Sequence, residues 1–220
     1  MRALLFALLL GAATAHATDD VVARVDGAPI TEAMVNAVVK GAISGRGEAP
    51  SSEEIAKLSD AALESLIDLE LLYAAAQKHA IAVSDAQVDA EVARSRARFA
   101  KPSDYDAALT RSGMSQAQLR ADTRKTLMVN AFLEKVVWKD VRVAPDAAQQ
   151  YYDQHRAELG NKSFATLRPA IERSLLDDQR QQAQRAYLLE LKKTAVIQRG
   201  PAPTAVPTAR PTPVPPSQPS

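Results

Sequence analysis

Apolar residues recur at helical spacing along most of the chain, and the densest pattern lies between positions 60 and 79. It contains two apolar stripes, one of Leu63, Leu66, Ile67, Leu71 and Ala74, and one of Leu69, Leu72, Tyr73 and Ala76. A helix that is apolar on two sides is buried rather than lying at the surface. The pattern therefore predicts a central core helix over residues 61–79.

Polar capping residues predict where further helices begin, because their side chains accept hydrogen bonds from the first free backbone N–H groups. The predicted helices are one near Glu32 after Thr31, a short one from Ser51 with Glu54, one from Ser84 with Gln87 to about residue 100, a short one from Ser103 to Gly113, and one from Ser115 with Gln118 to about residue 139. Residues 41–50 hold three glycines and predict a flexible loop. In the helix after Ser115, the first half around residues 120–125 is polar, which indicates a solvated surface.

The last third of the chain predicts a long helix that joins two packed regions. Pro145 suits the first turn of a helix that carries Tyr151 and Tyr152, and residues 160–163 predict a tight connection. A helix over residues 169–194 would be about 37 Å long. Its two ends are apolar and its middle, residues 177–182, is wholly polar, so each end is expected to pack against a different region.

Three short segments favour β-strands. Residues 21–25 are β-prone and stop at Asp26-Gly27, which is a turn dipeptide. Residues 141–143 alternate between apolar and polar, and residues 195–197 are β-prone again. Short strands among many helices, together with a composition rich in Ala, Leu, Gln and charged residues, predict a mainly α fold.

The two ends of the sequence differ from the rest. Met1-Arg2, an apolar run over residues 3–10 and the small-x-small triplet at 15–17 are the parts of a secretory signal peptide, with cleavage expected after Ala17. A retained amphipathic helix is the alternative. Residues 201–220 contain eight prolines, which predicts a disordered extended tail, either inert or used to bind a partner. The expected division is signal peptide 1–17, folded domain 18–199 and tail 200–220.

Composition excludes several classes of function. The chain has no cysteine, so disulfides, a lipidated cysteine anchor and thiol catalysis are not expected. It has 27 basic and 26 acidic residues, and loss of Arg2 with the signal would leave a formally neutral chain, which argues against a nucleic-acid partner. No later segment is apolar enough to cross a membrane. A product without a stable membrane anchor in the periplasm is expected.

Signals for catalysis, cofactors and metals are weak. His79 and His155 have no companions at metal-ligand spacing, and neither a Gly-x-Ser-x-Gly elbow nor a Gly-rich phosphate loop is present. A Ser-His-acid triad stays open on the sequence alone. No catalytic residue, metal site or cofactor is predicted.

Four blocks in order resemble the SurA and PrsA family of periplasmic and surface foldases. They are residues 22–31 (VARVDGAPIT), residues 63–88 (LESLIDLELLYAAAQKHAIAVSDAQV), residues 141–155 (VRVAPDAAQQYYDQH) and residues 167–197. The resemblance implies a helical cradle related to the peptide-binding part of trigger factor. It also implies that residues 21–25 pair near residues 195–198, with residues 141–143 as a further candidate strand.

The chain departs from the family pattern at the place of the isomerase. Members with this activity carry a parvulin domain of roughly a hundred residues between the third and fourth blocks, where only about residues 160–166 stand here. The parvulin active-site residues have no matching positions, so the resemblance implies a chain that is not an enzyme.

The remaining candidates for a function are apolar side chains. The candidate peptide-binding residues are Met114, Leu119, Met128, Phe132 and Trp138, since methionine adapts to varied partners. The alternative for each is a place in the core. The leading hypothesis is an ATP-independent holding chaperone for unfolded or nascent envelope and outer-membrane proteins. An adaptor for one secretion or export complex and a degenerate prolyl isomerase are the rival hypotheses, and the oligomeric state stays open.

Overall fold

A computed structural model describes residues 21–44, 49–112 and 114–200. The strands are β1 (Val21–Val25), β2 (Ala28–Thr31) and β3 (Ile197–Arg199). The helices are α1 (Glu32–Ile43), α2 (Ser52–Lys78), α3 (Asp85–Arg96), α4 (Pro102–Ser112), α5 (Gln116–Phe132), α6 (Ala147–Gln154), α7 (Arg156–Leu159) and α8 (Phe164–Thr194). A π-helical turn, Leu133–Val137, continues α5. The mainly α prediction, with strands from both ends of the domain, is confirmed.

The three strands form one antiparallel sheet in the order β2-β1-β3. β1 and β2 are joined by Asp26 and Gly27, whose φ angles of 48° and 88° are those that a tight two-residue hairpin requires. β3 pairs with the other edge of β1, so that Val25 lies opposite Ile197. The predicted pairing of residues 21–25 with the C-terminal segment is therefore confirmed, whereas β2 was missed because Pro29 lowers its strand propensity.

Asp26 ties the C-terminal segment to the hairpin turn. Its backbone N–H donates to the Val196 carbonyl at 3.0 Å, and its side-chain Oδ1 accepts from the Val196 N–H at 2.9 Å. Gly200 extends the pairing beyond β3 by donating its N–H to the Val22 carbonyl at 2.9 Å. These bonds close the domain without a covalent link.

α2 is the central helix, as predicted, but it is longer. The expected short helix at Ser51 and the core helix at 61–79 are one continuous helix of 27 residues. The predicted capping box is present, since Ser51 Oγ accepts from the Glu54 N–H and the Glu54 carboxylate accepts from the Ser51 N–H. The helix buries Ile55 and Ser59 before the predicted core segment, so apolar packing continues across the boundary between the two predicted helices.

Other helix bounds differ from the predictions for local reasons. α3 ends at Arg96 and not near residue 100, and the helix after Ser115 leaves α-geometry at Leu133, where the Trp138 N–H donates to a carbonyl five residues back at 2.8 Å. α8 begins at Phe164, five residues before the expected start, because Pro169 is accommodated in the second turn of the helix. α1 runs to Ile43 into the predicted glycine loop, of which residues 45–48 lie outside the described residues.

Two sequence predictions were wrong. Residues 141–143 pair with no strand in the described part of the chain, because neither edge of the sheet extends to them.

The polar first half of α5 is not simply solvated. Lys125 forms an ion pair with Glu70 of α2, which is only 6% exposed. The Lys125 Nζ also lies 4.9 Å from the centre of the Tyr73 ring. The polar stripe therefore contacts neighbouring helices.

Two separate cores flank the polar middle of α8. The main core joins β1, β2, α1, α2, the end of α5, the π-helical turn and the C-terminal half of α8 around the fully buried Phe132 and Ile67. The second core joins α6 and the N-terminal half of α8 around Ala148, Tyr152 and Ile171. With 31 residues, α8 is about 47 Å long. The prediction of a long helix that joins two packed regions is confirmed.

Gly200 should be intolerant of a side chain. A Cβ atom at this position would lie 2.6 Å from the Val21 carbonyl oxygen, whereas a Cβ at Gly41 in α1 would meet nothing within 4 Å. We expect Gly200→Ala to lower the free energy of unfolding by about 1–3 kcal/mol. The control Gly41→Ala should raise it by roughly 0.5–1 kcal/mol, because alanine is the better helix former. Urea unfolding followed by circular dichroism measures both, and equal effects of the two variants would contradict the closure described for Gly200.

Removal of the Lys125 charge should cost more than removal of an exposed charge on the same helix. Lys125→Met leaves the buried Glu70 carboxylate without its partner, and we expect a loss of about 3 kcal/mol in the free energy of unfolding. Arg124→Met breaks the more exposed pair with Asp85 and should cost less than about 1 kcal/mol. Adding Glu70→Gln to Lys125→Met should restore most of the loss in the same urea titration. A loss that persists in the double variant would place the effect in packing and not in charge.

Candidate peptide-binding surfaces

The five candidate peptide-binding residues do not form one surface. Phe132 has no exposed area and contacts His79 and Tyr187 at ring-centre distances of 5.2 and 5.5 Å. Met128 is half-buried and packs against the main core. Both therefore occupy the core positions that the sequence left as the alternative.

Trp138 connects the π-helical turn to the polar middle of α8. Its Nε1 donates to the Arg180 carbonyl at 3.0 Å, and the Arg180 guanidinium lies 5.1 Å from the centre of the indole ring. Arg180 also reaches the Glu134 carboxylate at 3.5 Å. Trp138 is thus a positioning residue that joins α8 to the main core.

Leu119 lines a surface groove between α3 and α5. This α3–α5 groove has a volume of about 370 Å³ and lies between the outer faces of the two helices. Its lining is formed by Glu91, Ser95, Arg98, Leu119, Asp122, Thr123, Thr126, Leu127 and Asn130. Met114 is half-buried just before α5 and lies outside this lining. The groove combines two leucines with hydroxyl, amide and charged groups, which suits loose contact with varied chains.

Ion pairs hold the two walls of the α3–α5 groove together. Arg120 binds Asp89 and Arg124 binds Asp85, so that α5 cations meet α3 carboxylates. The hydrogen bond and charge of Asp89 raise the pKa of Arg120 above its usual value. α3 contributes only Val88 to the buried residues. The wall is therefore held more by surface charge than by apolar packing.

The α4 helix is packed as thinly as α3. Tyr105 is its buried residue among those described, with Phe99 against its ring edge at 5.6 Å and the Arg96 guanidinium 5.7 Å from its centre. A second groove of about 570 Å³ lies between α1 and α4, and its lining is Ala33, Asn36, Ala37, Lys40, Gly41, Ser44, Ala108 and Arg111. Elements with few buried apolar contacts open at low free-energy cost, and we expect α3 and α4 to be among them.

A third groove lies beside the extended segment that was predicted to be a strand. It has a volume of about 550 Å³ and is formed by residues 141–145 on one side and α8 on the other. Its lining is Val141, Arg142, Val143, Ala144, Pro145, Arg168, Pro169, Glu172, Arg173, Leu176 and Arg180. We call it the arginine groove. No pattern in the sequence predicts this groove, because its arginines lie on two different elements. Arg142 and Arg180, for example, are 38 positions apart and come together only in the fold.

The two histidines in the described residues each contact an aromatic ring. The His79 ring packs on Phe132 at the end of α2, and His155 stacks on Tyr151 with a ring-centre distance of 4.1 Å. Within residues 21–44, 49–112 and 114–200, no group of three or more His, Cys, Asp or Glu residues is placed to hold a metal ion. No helix among the described residues is both long enough and apolar enough to cross a bilayer.

Comparison with known proteins supports one family. The foldase protein PrsA of Clostridium acetobutylicum is 26% identical over 140 residues, which are 58% of this chain and 42% of that protein. The chaperone SurA of Legionella pneumophila strain Paris is 28% identical over 152 residues, which are 66% of this chain and 35% of that protein. The chain therefore spans less than half the length of either of these curated relatives.

The fold agrees with a solved structure. A chain from the structural work on the virulence factor PEB4 and the periplasmic protein Cj1289, two structurally related SurA-like chaperones of Campylobacter jejuni, superposes with a TM-score of 0.53 at 14% identity. The alignment covers 82% of this chain and 99% of that one. A family model described as the SurA-like N-terminal domain matches residues 1–133. Since this match spans more than half of the sequence, the chain belongs to the family of SurA-like N-terminal domains.

Proposed function

We propose that this protein is an ATP-independent holding chaperone of the periplasm that binds unfolded envelope and outer-membrane proteins in transit. In this proposal it holds extended or partly folded chains and releases them without chemistry. The observation that carries the proposal is the α3–α5 groove, where Leu119 and Leu127 are open to a partner beside polar and charged groups.

The groove suits a client that has no defined shape. Burial of apolar area contributes roughly 25 cal/mol for each Å², so a few client side chains on two leucines give weak, reversible binding. Hydroxyl groups of Thr123 and Thr126 and the amide of Asn130 lie in the same lining. Both hydroxyls donate to carbonyls within α5, that of Thr123 to Leu119 at 2.7 Å and that of Thr126 to Asp122 at 3.0 Å. Their oxygens can still accept from the backbone N–H groups of an extended chain whatever its sequence, which favours breadth over specificity.

The thin packing of α3 and α4 supports the same role. These helices bury only Val88 and Tyr105 among their described side chains, and exposed ion pairs contribute little to stability. Movement of α3 relative to α5 would therefore cost little free energy. A groove with one movable wall accommodates clients of different bulk, as a general holding chaperone requires.

The proposal includes the absence of prolyl isomerase activity. The connection from α7 to α8 consists of four residues, Gly160 to Ser163. Family members with isomerase activity carry their parvulin domain at this place. Four residues cannot build a catalytic cleft. We expect the protein to leave the isomerisation rate of a short proline-containing peptide unchanged, measured by protease-coupled absorbance. An acceleration that scales with protein concentration would show a degenerate isomerase instead.

Export to the periplasm is supported by the signal-like pattern over residues 1–17, with cleavage expected after Ala17. This segment and the proline-rich segment 201–220 lie outside the described residues, so the division at residues 17 and 200 stays a prediction. The structural work that contains the matched chain describes Cj1289, one of its two SurA-like chaperones, as a periplasmic protein. N-terminal sequencing of the protein recovered from a periplasmic extract would test the cleavage after Ala17.

The first test is the aggregation of a urea-unfolded outer-membrane protein after dilution, followed by light scattering. Residues 18–220 at equimolar amount should delay aggregation. The double variant Leu119→Gln/Leu127→Gln should show at most half of this delay in aggregation, because both leucines of the groove become polar. The control Leu189→Gln removes an apolar side chain that is 63% exposed on α8, away from the groove, and should keep the full delay.

The result separates the proposal from its rivals once circular dichroism shows that each variant is folded. Equal losses in the groove variant and the Leu189 control would mean that any exposed apolar surface serves, and would overturn the assignment of the groove. No delay by the unmodified protein would overturn the chaperone itself. Deletion of residues 201–220, followed by affinity purification, would then test the adaptor hypothesis, in which a dedicated partner is lost with the tail.

A further inference from the structure

The segment from Val141 to Ala144 has the alternating exposure of a strand but belongs to no helix or strand of the structure. Val141 and Val143 are half-buried, while Arg142 and Ala144 are exposed, as in a strand that lies on a surface. In the described chain, the backbone N–H groups of Arg142 and Val143 donate to no backbone carbonyl. Val141 is already bonded, since its N–H donates to the Trp138 carbonyl at 3.0 Å and its carbonyl accepts from the Arg142 guanidinium at 2.7 Å, and the Ala144 carbonyl accepts from the Ala147 N–H at 3.1 Å. The N–H groups of Arg142 and Val143 remain as donors with which another extended chain can pair.

The groove beside this segment carries an excess of positive charge. Arg142, Arg168, Arg173 and Arg180 line it, against one carboxylate, Glu172. Glu172 is already bound to Arg168 at 2.7 Å. Arg173 is exposed and forms no ion pair with any of the described residues. The lining therefore offers guanidinium groups to carboxylates that a ligand would bring.

Apolar groups separate these arginines and give the groove a floor. Val141 and Val143 contribute from the extended segment, and Leu176 contributes from α8. The Arg180 guanidinium stacks on the ring of Trp138, and its Nε is buried without a hydrogen-bond acceptor in the described residues. The site thus combines free backbone donors, apolar contacts and fixed cations, and the hydrogen bond from Trp138 to the Arg180 carbonyl positions α8 against the segment.

We propose that the arginine groove binds an extended acidic segment of a bound polypeptide, which pairs with the backbone of Arg142 and Val143 and places its carboxylates on Arg142 and Arg173. This inference rests on the proposed function and adds a class of client sequence to it: alternating apolar and acidic residues. Apolar side chains of the ligand would face Val141, Val143 and Leu176, and acidic ones would meet the guanidinium groups.

The charge of the groove decides between occupants. The proline-rich segment 201–220 contains Arg210 and no acidic side chain, so its side chains offer no carboxylate to Arg142 and Arg173, whereas Arg168 and Arg180 already pair with Glu172 and Glu134. Its eight prolines also lack the N–H groups that a paired strand donates. An external acidic strand satisfies both the cations and the free backbone groups.

The test uses the full mature chain and fluorescent octapeptides that alternate valine with glutamate, glutamine or lysine. Fluorescence anisotropy at an ionic strength of about 0.15 M should show at least tenfold tighter binding of the glutamate peptide than of the glutamine peptide, and no binding of the lysine peptide. Arg173→Glu should weaken binding of the glutamate peptide at least tenfold. The control Arg185→Glu makes the same charge change at another exposed arginine of α8, outside the lining. The affinity of this variant for the glutamate peptide should stay within about twofold of that of the unmodified protein, because screening by salt leaves only short-range charge effects.

Strand pairing is tested separately from charge with two further glutamate peptides, N-methylated at odd or at even positions. One of the two should lose at least tenfold in affinity, because only one set of N–H groups faces the protein in a paired strand. Equal affinities of both methylated peptides and the unmodified one would overturn strand pairing. Equal effects of Arg173→Glu and Arg185→Glu would overturn the groove as the site.

The same assay distinguishes the failure of this inference from that of the chaperone. Anionic phosphatidylglycerol vesicles that bind through Arg173 while the glutamate peptide does not bind would show a lipid surface and overturn the proposal. If the unmodified protein delays client aggregation but shows no preference for the glutamate peptide, the groove assignment fails and the chaperone stands. If the preference is found without any delay of aggregation, the arginine groove stands as a peptide site while the holding function fails.

Discussion

The pairing of β3 with β1 is the constraint on which the rest of this structure depends. The chain has no cysteine, so no disulfide joins its first and last elements. Closure rests on the short ladder between the strands, on the two bonds between Asp26 and Val196, and on the close approach of Gly200 to Val21. Because β3 follows α8 directly, this pairing sets where the C-terminal end of the long helix lies.

The length of α8 then determines the spacing of the two cores. One end packs in the main core through Leu188 and the other in the small core through Ile171. The polar middle between them belongs to neither core, and it is fixed instead by Trp138, whose indole donates to the Arg180 carbonyl. The arginine groove exists because a helix that spans two cores leaves a side that no other element covers.

Stability is distributed unevenly, and the distribution agrees with the proposed function. α2 buries eleven residues, whereas α3 buries one. The charge pair of Glu70 with Lys125 is the buried polar link between α2 and α5, while Arg120 and Arg124 hold α3 from the surface. A rigid centre with a loosely held wall is a physical basis for binding clients of varied shape without a dedicated pocket.

Much of the fold could be predicted from the sequence because the responsible interactions are local. The Ser51–Glu54 and Ser84–Gln87 capping boxes, the Asp26-Gly27 turn and the double apolar stripe of α2 each depend on residues a few positions apart. The site was less predictable. Phe132 and Leu119 are both apolar residues of one helix, yet one is fully buried and the other lines a groove.

What the sequence by itself determined is therefore most of the helices, the β1 hairpin turn and their order, since helical periodicity, caps and turn residues act over short distances along the chain. Only the tertiary structure decided which apolar residues remain open, which cations meet carboxylates, and that residues 141–144 lie beside α8 outside the sheet. These outcomes depend on contacts between residues far apart along the chain, and no pattern within one segment records them.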